Sequence, residues 1–379
     1  MRPRLAAVTA FAMLAIAMAF AGCGSDGDGD PALTIYLSAP LKGPGAADGR
    51  DVADGARMAL DDAGDEAAGT SVRLVVLGDA ADGGARSALA GANARTATED
   101  STAIAYVGEL DSGSTRTSLP ITNEAGLLQV SAGASATDLT RAAPGSDQVP
   151  DVVQPSGVRT FARVVPSDVA QGAAAAGAMR RAGDERVGVV RSPSADASYA
   201  HSLVLGLDSV TNGPERAGGP PLDALYQPSP LPGAHRALAD RSGVSPGQFY
   251  GADATISGTP PTSTLPPGSL AVSGTLAPSQ LADPDFADLF ADAYERPPGR
   301  FAAYGYEAMA SVLDAIDRAD DPLDRKSVVD AYFATSDRDS VLGPWSVDDV
   351  GDTTLDRVGA YVVRPDGALR PADEPLRIP

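Results

Sequence analysis

Leu33-Thr34-Ile35-Tyr36-Leu37 is a short β-prone run that breaks off into Ser38-Ala39-Pro40-Leu41-Lys42-Gly43-Pro44, a segment of turn formers. From Asp51 to Ala63 the apolar positions Val52, Ala56, Ala59, Leu60 and Ala63 return at helical spacing. Strand, loop and helix in that order open a repeating pattern. Val72 to Leu77 reads as a second buried strand, Ser87 to Thr98 as an alanine-rich helix, and Ala103 to Val107 as a third strand ending at Gly108. A helix over Leu119 to Glu124 leads into Leu127 to Val130. Such alternation implies an α/β fold, with a mostly parallel sheet covered by helices on both faces.

A second round begins near Phe161. Val169 to Arg180 is a helix whose alanines allow close packing on a sheet, Val187 to Val190 is the next strand, and Ser198 to Val210 is a further helix. Leu222 to Tyr226, Gln248 to Tyr250 and Ser269 to Val272 supply shorter strands between proline-rich turns. Thr211 to Pro221 is nearly all glycine, proline and charge, and neither helix nor strand is expected there. Late in the chain, Phe286 to Tyr294 and Tyr304 to Ala319 are helical, the second with Met309, Val312, Leu313 and Ile316 on one face. The turn Arg364-Pro365-Asp366-Gly367 between Gly359 to Val363 and Gly367 to Leu369 predicts a terminal hairpin.

The chain's start has the layout of an export signal. Met1 to Arg4 carries two arginines, and Leu5 to Phe20 is an apolar run shorter than the roughly 20 residues that span a bilayer. It ends at Phe20-Ala21-Gly22-Cys23, and Cys23 is the sole cysteine, so neither an internal disulfide nor a thiolate cluster is possible. The alternative is an ordinary secretory peptide with an incidental cysteine. Gly24 to Asp30 alternates glycine with acid and reads as a flexible tether; its likeness to a calcium loop lacks the closing glutamate.

About 350 residues beyond a leader suffice for two cores but are long for one. A net charge of -21 argues against nucleic acid, whose binding needs Lys and Arg on phosphates. Only two histidines, His201 and His235, are present, and the candidate site serines Ser112, Ser114, Ser131 and Ser135 sit outside any Gly-x-Ser-x-Gly elbow. Zinc chemistry, a cofactor and catalysis are therefore not expected.

Several motifs together carry a resemblance. Tyr106 to Ser114, Leu119-Pro120-Ile121, Asn123 to Gly126, Gln129 to Ser135, Arg159 to Asp168 and Tyr304 to Ala308 resemble, in order and spacing, the type 1 periplasmic substrate-binding proteins of the branched-chain amino acid (Leu/Ile/Val) ABC transporter family. The resemblance implies two parallel-sheet α/β lobes that close over a solute. Residues 1–22 would be the signal peptide and 23–31 the lipidated Cys23 and tether. Lobe one would comprise 32–158 and 273–335, and lobe two 159–272 and 336–379. Family members place a further strand and helix where only Thr211 to Pro221 stands here, so lobe two is expected to lack one strand-helix unit. The phenylalanine at Phe20 stands where the bacterial lipobox usually has leucine; Cys23 matches its lipidated cysteine, which would anchor the protein on the outer face of the cytoplasmic membrane.

The implied function is capture of an amino acid or similar small polar solute for ABC permease subunits, by a monomer that needs no cofactor or metal. A sensory lipoprotein with the same cleft, working with a signalling partner, is the alternative; an exported hydrolase is a more distant one. Ser112 matches the carboxylate-binding serine, in a helix start where Ser112, Gly113 and Ser114 would either cap or bind an anion. Ser131 to Ser135 should emerge on the same sheet edge, Ala134 offering backbone groups and Ser135 standing in for a threonine, unless the segment is a plain turn. From lobe two, Tyr199 would cover the ligand, Tyr226 matches a cleft position or a core residue, and Asp253 falls where the family often has the acid that receives the ammonium. Glu109 would reach the cleft or orient its loop, and Trp345 reads as packing.

Overall fold

Alternation of buried strand and flanking helix runs through the computed structural model, which describes residues 33–80, 86–142, 150–190, 210–212, 222–228, 242–258 and 260–379. The expected leader, Cys23, the expected tether, Tyr199 and nearly all of the helix expected from Ser198 lie outside these residues. No helix among the described residues is long and apolar enough to cross a membrane.

The first sheet contains β1 (Leu33–Ala39), β2 (Glu66–Ala67), β3 (Thr70–Gly78), β4 (Ala103–Val107), β5 (Leu128–Ser131) and β6 (Phe161–Arg163). Their spatial order is β2-β3-β1-β4-β5-β6, parallel throughout except for the β2-β3 hairpin. Every residue of β1, β4 and β5 is buried, as expected of parallel strands covered on both faces. The covering helices are α1 (Ala46–Asp62), α2 (Arg86–Glu99), α3 (Ser112–Glu124) and the short α4 (Pro150–Val153). Helix α3 starts seven residues before the expected Leu119 because Asp111 caps it, accepting from Ser114 N at 2.9 Å. Pro120 is accommodated inside the helix.

The second sheet has order β15-β14-β13-β10-β9-β7-β8, with β16 also paired to β14. Its strands are β7 (Val187–Val189), β8 (Val210–Asn212), β9 (Ala224–Gln227), β10 (Phe249–Gly251), β13 (Leu270–Ser273), β14 (Arg357–Val363), β15 (Leu369–Pro371) and β16 (Leu376–Arg377). A small hairpin, β11 (Ile256–Ser257) with β12 (Thr262–Ser263), stands apart. Helix α5 (Asp168–Ala182) is capped by Ser167 and ends at Gly183 in the left-handed conformation. Strand β8 corrects the sequence reading: Val210-Thr211 is a β-branched pair that extends alongside β7 at the sheet's edge, so the strand expected to be missing is present.

Three late helices complete the first lobe: α6 (Phe286–Tyr294), α7 (Ala302–Arg318) and α8 (Arg325–Phe333). Helix α7 crosses α1 where glycines let the backbones meet. A Cβ at Gly55 would stand 2.0 Å from the Ala302 carbonyl oxygen, and one at Gly305 2.3 Å from that of Val52.

Among the described residues the chain passes between lobes three times, and two passages fall later than expected. Phe161–Arg163 was assigned to lobe two from residue 159, yet it pairs with β5 in the first sheet. Leu342, Trp345, Val347 and Leu355, assigned to lobe two from residue 336, sit in the first lobe's core, and the second sheet resumes only at Arg357. The physical reason is burial: the first lobe's core takes these apolar side chains, and Trp345 Nε1 donates to Glu307 Oε1 at 3.0 Å inside it.

Candidate functional site

The carboxyl ends of β1, β4 and β5 face one way, and their following loops meet there. Open α/β sheets bind ligands at this edge. A cavity of about 340 Å³ lies between these loops and the segment Asp253-Ala254 after β10, so both lobes contribute to its wall. A larger hollow of about 660 Å³ opens at the opposite ends of the same strands, beside Ser101 to Ile104 and Asp324 to Lys326, and its described lining residues all belong to the first lobe.

The loop after β4 is set by a buried carboxyl. Glu109, fully buried, accepts from Ser38 Oγ at 2.6 Å and Tyr106 OH at 2.5 Å and lies near the buried Asp79 carboxyl. Burial pushes its pKa up to about 8, the Ser38 and Tyr106 hydroxyls pull it down, and Asp79 raises it further. Glu109 thus holds the loop from beneath rather than reaching the cleft.

Ser131, at the end of β5, spends its hydroxyl in the same way. It donates to the Glu109 carbonyl at 2.6 Å and accepts from Gly133 N and Ala134 N at 3.1 and 2.8 Å. Gly133 is needed for this contact, since a Cβ there would fall 2.5 Å from the Leu110 carbonyl oxygen. Ala134 is buried with both backbone groups engaged, its carbonyl accepting from Arg163 Nη1 at 3.2 Å. Ser131 and Ala134 therefore shape the loop, and the cavity wall is made by their neighbours Gly133, Ser135 and Ala136.

Ser112 does line the cavity. Its Oγ accepts from Ala136 N at 3.0 Å, which leaves the hydroxyl proton to be donated to a guest. The N–H groups of Ser112 and Gly113, at the start of α3, bond no described acceptor, and such amides favour anions. Ser114 is turned inward, its hydroxyl buried without a partner among the described residues. Ser135 lines the cavity beside the fully buried Asp168. Burial pushes Asp168 up to about 7, while the Ser135 hydroxyl and Arg163 lower it, and Asp253 and Asp138 raise it.

Across the cleft, Asp253 sits on the cavity wall, accepts from Ser273 Oγ at 2.6 Å and forms an ion pair with Arg300 Nη1. Arg300 precedes α7, so this pair bridges the lobes. Its side chain is 13% exposed; burial acts to lower its pKa, but Asp253 and Asp48 hold it above the ordinary guanidinium value. Tyr226, on β9, is fully buried in the second lobe's core with its hydroxyl unpaired among the described residues, and it does not line the cavity.

Two residues that the sequence reading did not single out organise the site. One is Arg300. The other is Arg163, the last residue of β6, whose side chain is fully buried. Its guanidinium donates to the Ala134 and Ala136 carbonyls at 3.2 and 2.7 Å, to Thr140 Oγ1 at 2.8 Å, and to Asp352 Oδ1 at 2.8 Å. Burial acts to raise the Asp352 pKa, yet Arg163, the Thr140 hydroxyl and Arg141 hold it below the usual carboxylate range. Arg163 thereby pins the loop that forms one wall of the cavity to the last interlobe passage.

No protein-family model matches the chain, and no curated protein matches it either. Solved structures do. A leucine-binding protein of Thermotoga maritima superimposes with a TM-score of 0.69 at 22% identity, covering 91% of this chain and 99% of that one. The branched-chain amino acid transporter substrate-binding protein of Streptococcus pneumoniae, solved with isoleucine, gives 0.66 at 19% identity over 91% and 99%. A solute-binding protein of an ABC transporter from Rhodopseudomonas palustris, solved with 3,4-dihydroxy benzoic acid, gives 0.65 at 15% identity over 92% and 97%. Superpositions that run nearly the full length of both partners assign the architecture: the chain has the type 1 periplasmic-binding-protein fold.

Proposed function

We propose that this protein is an extracytoplasmic solute-binding component of an ABC importer, a binding protein rather than an enzyme. It is exported by its leader and anchored through lipidated Cys23. It captures an amino acid or a similar small polar solute in the cleft and presents it to permease subunits as a monomer. The observation that carries this reading is the cavity at the carboxyl ends of the first sheet, walled from both lobes and offering the Ser112 hydroxyl and the α3 amides as donors. Similar solved structures hold leucine, isoleucine and an aromatic acid. A solute touching both walls would shift an open and closed equilibrium toward the closed form.

The test is a thermal-shift panel of amino acids, small amides, ureas and aromatic acids on the chain beginning after Cys23, with calorimetry on each hit. At least one solute should raise the melting temperature, and Ser112→Ala should weaken its binding by about 1 to 3 kcal/mol. A panel without stabilisation, or an affinity indifferent to Ser112→Ala, overturns the reading of this cleft.

A further inference from the structure

The cavity's hydrogen-bonding groups are unevenly committed, and the imbalance selects a class of guest. Among the described residues its carboxylates are already engaged by the protein. Asp253 Oδ1 is ion-paired with Arg300 and receives the Ser273 hydroxyl, so its charge is neutralised although Oδ2 has no described donor; Asp111 Oδ1 receives Ser114 N as the cap of α3, and Asp48 is not without a partner. Its donors are in surplus. Ser112 retains its hydroxyl proton, the first amides of α3 bond no described acceptor, and Arg300 uses only Nη1 among the described residues, for Asp253 and for Ser273 Oγ at 3.1 Å. A guanidinium carries five N–H donors, so Nε and Nη2 remain for a guest.

An amino acid brings an ammonium that needs an acceptor, and the acid expected to receive it already holds a cation of the protein's own. An ammonium on Asp253 Oδ2 would stand beside the Arg300 guanidinium, cation against cation, and displacing Arg300 would leave a largely buried guanidinium without its counter-ion, which is costly. A carboxylic acid without an amine meets no such competition. We infer that Arg300 is a specificity-determining residue that fills the ammonium position from within, so the cleft prefers amine-free carboxylic acids to the corresponding amino acids. This inference rests on the proposed binding role and narrows its solute class.

Matched probes test it by calorimetry on the chain after Cys23: 4-methyl-2-oxopentanoate against leucine, and 3-phenylpropanoate against phenylalanine. In at least one pair the acid should bind ten-fold or more tightly than its amino acid. Arg300→Met, which keeps length and removes the charge and donors, should cut that ratio ten-fold or invert it. Should Arg300→Met fail to fold, Asp253→Asn serves instead; by releasing Arg300 to the guest it should tighten acid binding several-fold, and unchanged or weaker acid binding overturns the inference. A wild-type preference for the amino acids, or a ratio unmoved by Arg300→Met, overturns the inference and leaves the solute-binding role standing. Binding of no member of either pair overturns the inference, and the role itself then stands or falls with the wider solute panel.

Discussion

Replacing Arg163 with methionine should unseat both the stability of the first lobe and the wall of its cleft. Methionine fills a similar volume but offers no donor, so the Ala134 and Ala136 carbonyls, Thr140 Oγ1 and Asp352 Oδ1 each lose a partner at once. The Asp352 side chain is only 11% exposed, so its charge stays in a poorly hydrated place. Removing one member of a buried ion pair costs about 3 to 5 kcal/mol. At roughly 2 to 4 °C per kcal/mol, the melting temperature should fall on the order of 10 °C in calorimetry. Neutralising the acid, which would keep only the Arg141 ion pair at 3.2 Å, separates charge from packing: Arg163→Met with Asp352→Asn should regain part of the loss, because an uncharged amide is cheaper to bury. A single substitution costing under about 1 kcal/mol would refute the reasoning, as would a double variant no more stable than the single.

Two buried acids make further outcomes measurable. Glu109 titrates near 8 in the folded protein against an ordinary value of 4.5, so the folded state holds the proton more tightly. Its stabilising contribution is fully present below about 4.5 and is lost as pH rises through about 8. Glu109→Gln, which keeps a neutral partner for Asp79, should therefore gain on the wild type between pH 5 and pH 9 by on the order of a few kcal/mol, read from denaturant melts at each pH. Asp168 titrates near 7 beside Ser135. When protonated it can donate to the Ser135 hydroxyl and free that group's proton for a guest. Binding of a carboxylate guest should accordingly weaken as pH rises from 6 to 8, and Asp168→Asn should flatten the profile; an unchanged profile would remove Asp168 from the binding equilibrium.

Much of the scaffold could be read from residues because its strands are continuous apolar runs: β4 falls on Ala103–Val107 and α6 on Phe286–Tyr294, as expected. Helix α8 was not anticipated, since Arg325–Phe333 is only nine residues long and opens with Arg325-Lys326; its signal was the Asp324 cap, which accepts from Ser327 N. Strand β8 was hidden by the glycine and proline that follow it. At the site, Ser112, Ser135 and Asp253 do line one cavity, while Ser131, Ala134 and Ser114 turn inward and Tyr226 is core. Whether a serine hydroxyl faces a ligand or a neighbouring loop depends on which staggered χ1 rotamer it takes, wells about 120° apart, and no sequence pattern fixes that choice. The two arginines were missed because arginine is ordinarily a surface residue. For Arg163 a signal existed, a lone cation inside Phe161-Ala162-Arg163-Val164-Val165. Arg300 offered none, its partner Asp253 lying 47 residues away in the other lobe.

The central claim is that the gap between the lobes holds a solute by its acidic group. A crystal structure of the chain after Cys23 with its tightest-binding solute tests it most directly. The solute's carboxylate should lie within hydrogen-bond distance of Ser112 Oγ and the α3 amides, with Arg300 and Ala254 contacting it from the opposite side. Density for the solute anywhere else, or in the gap but with its carboxylate turned away from Ser112, would contradict the account.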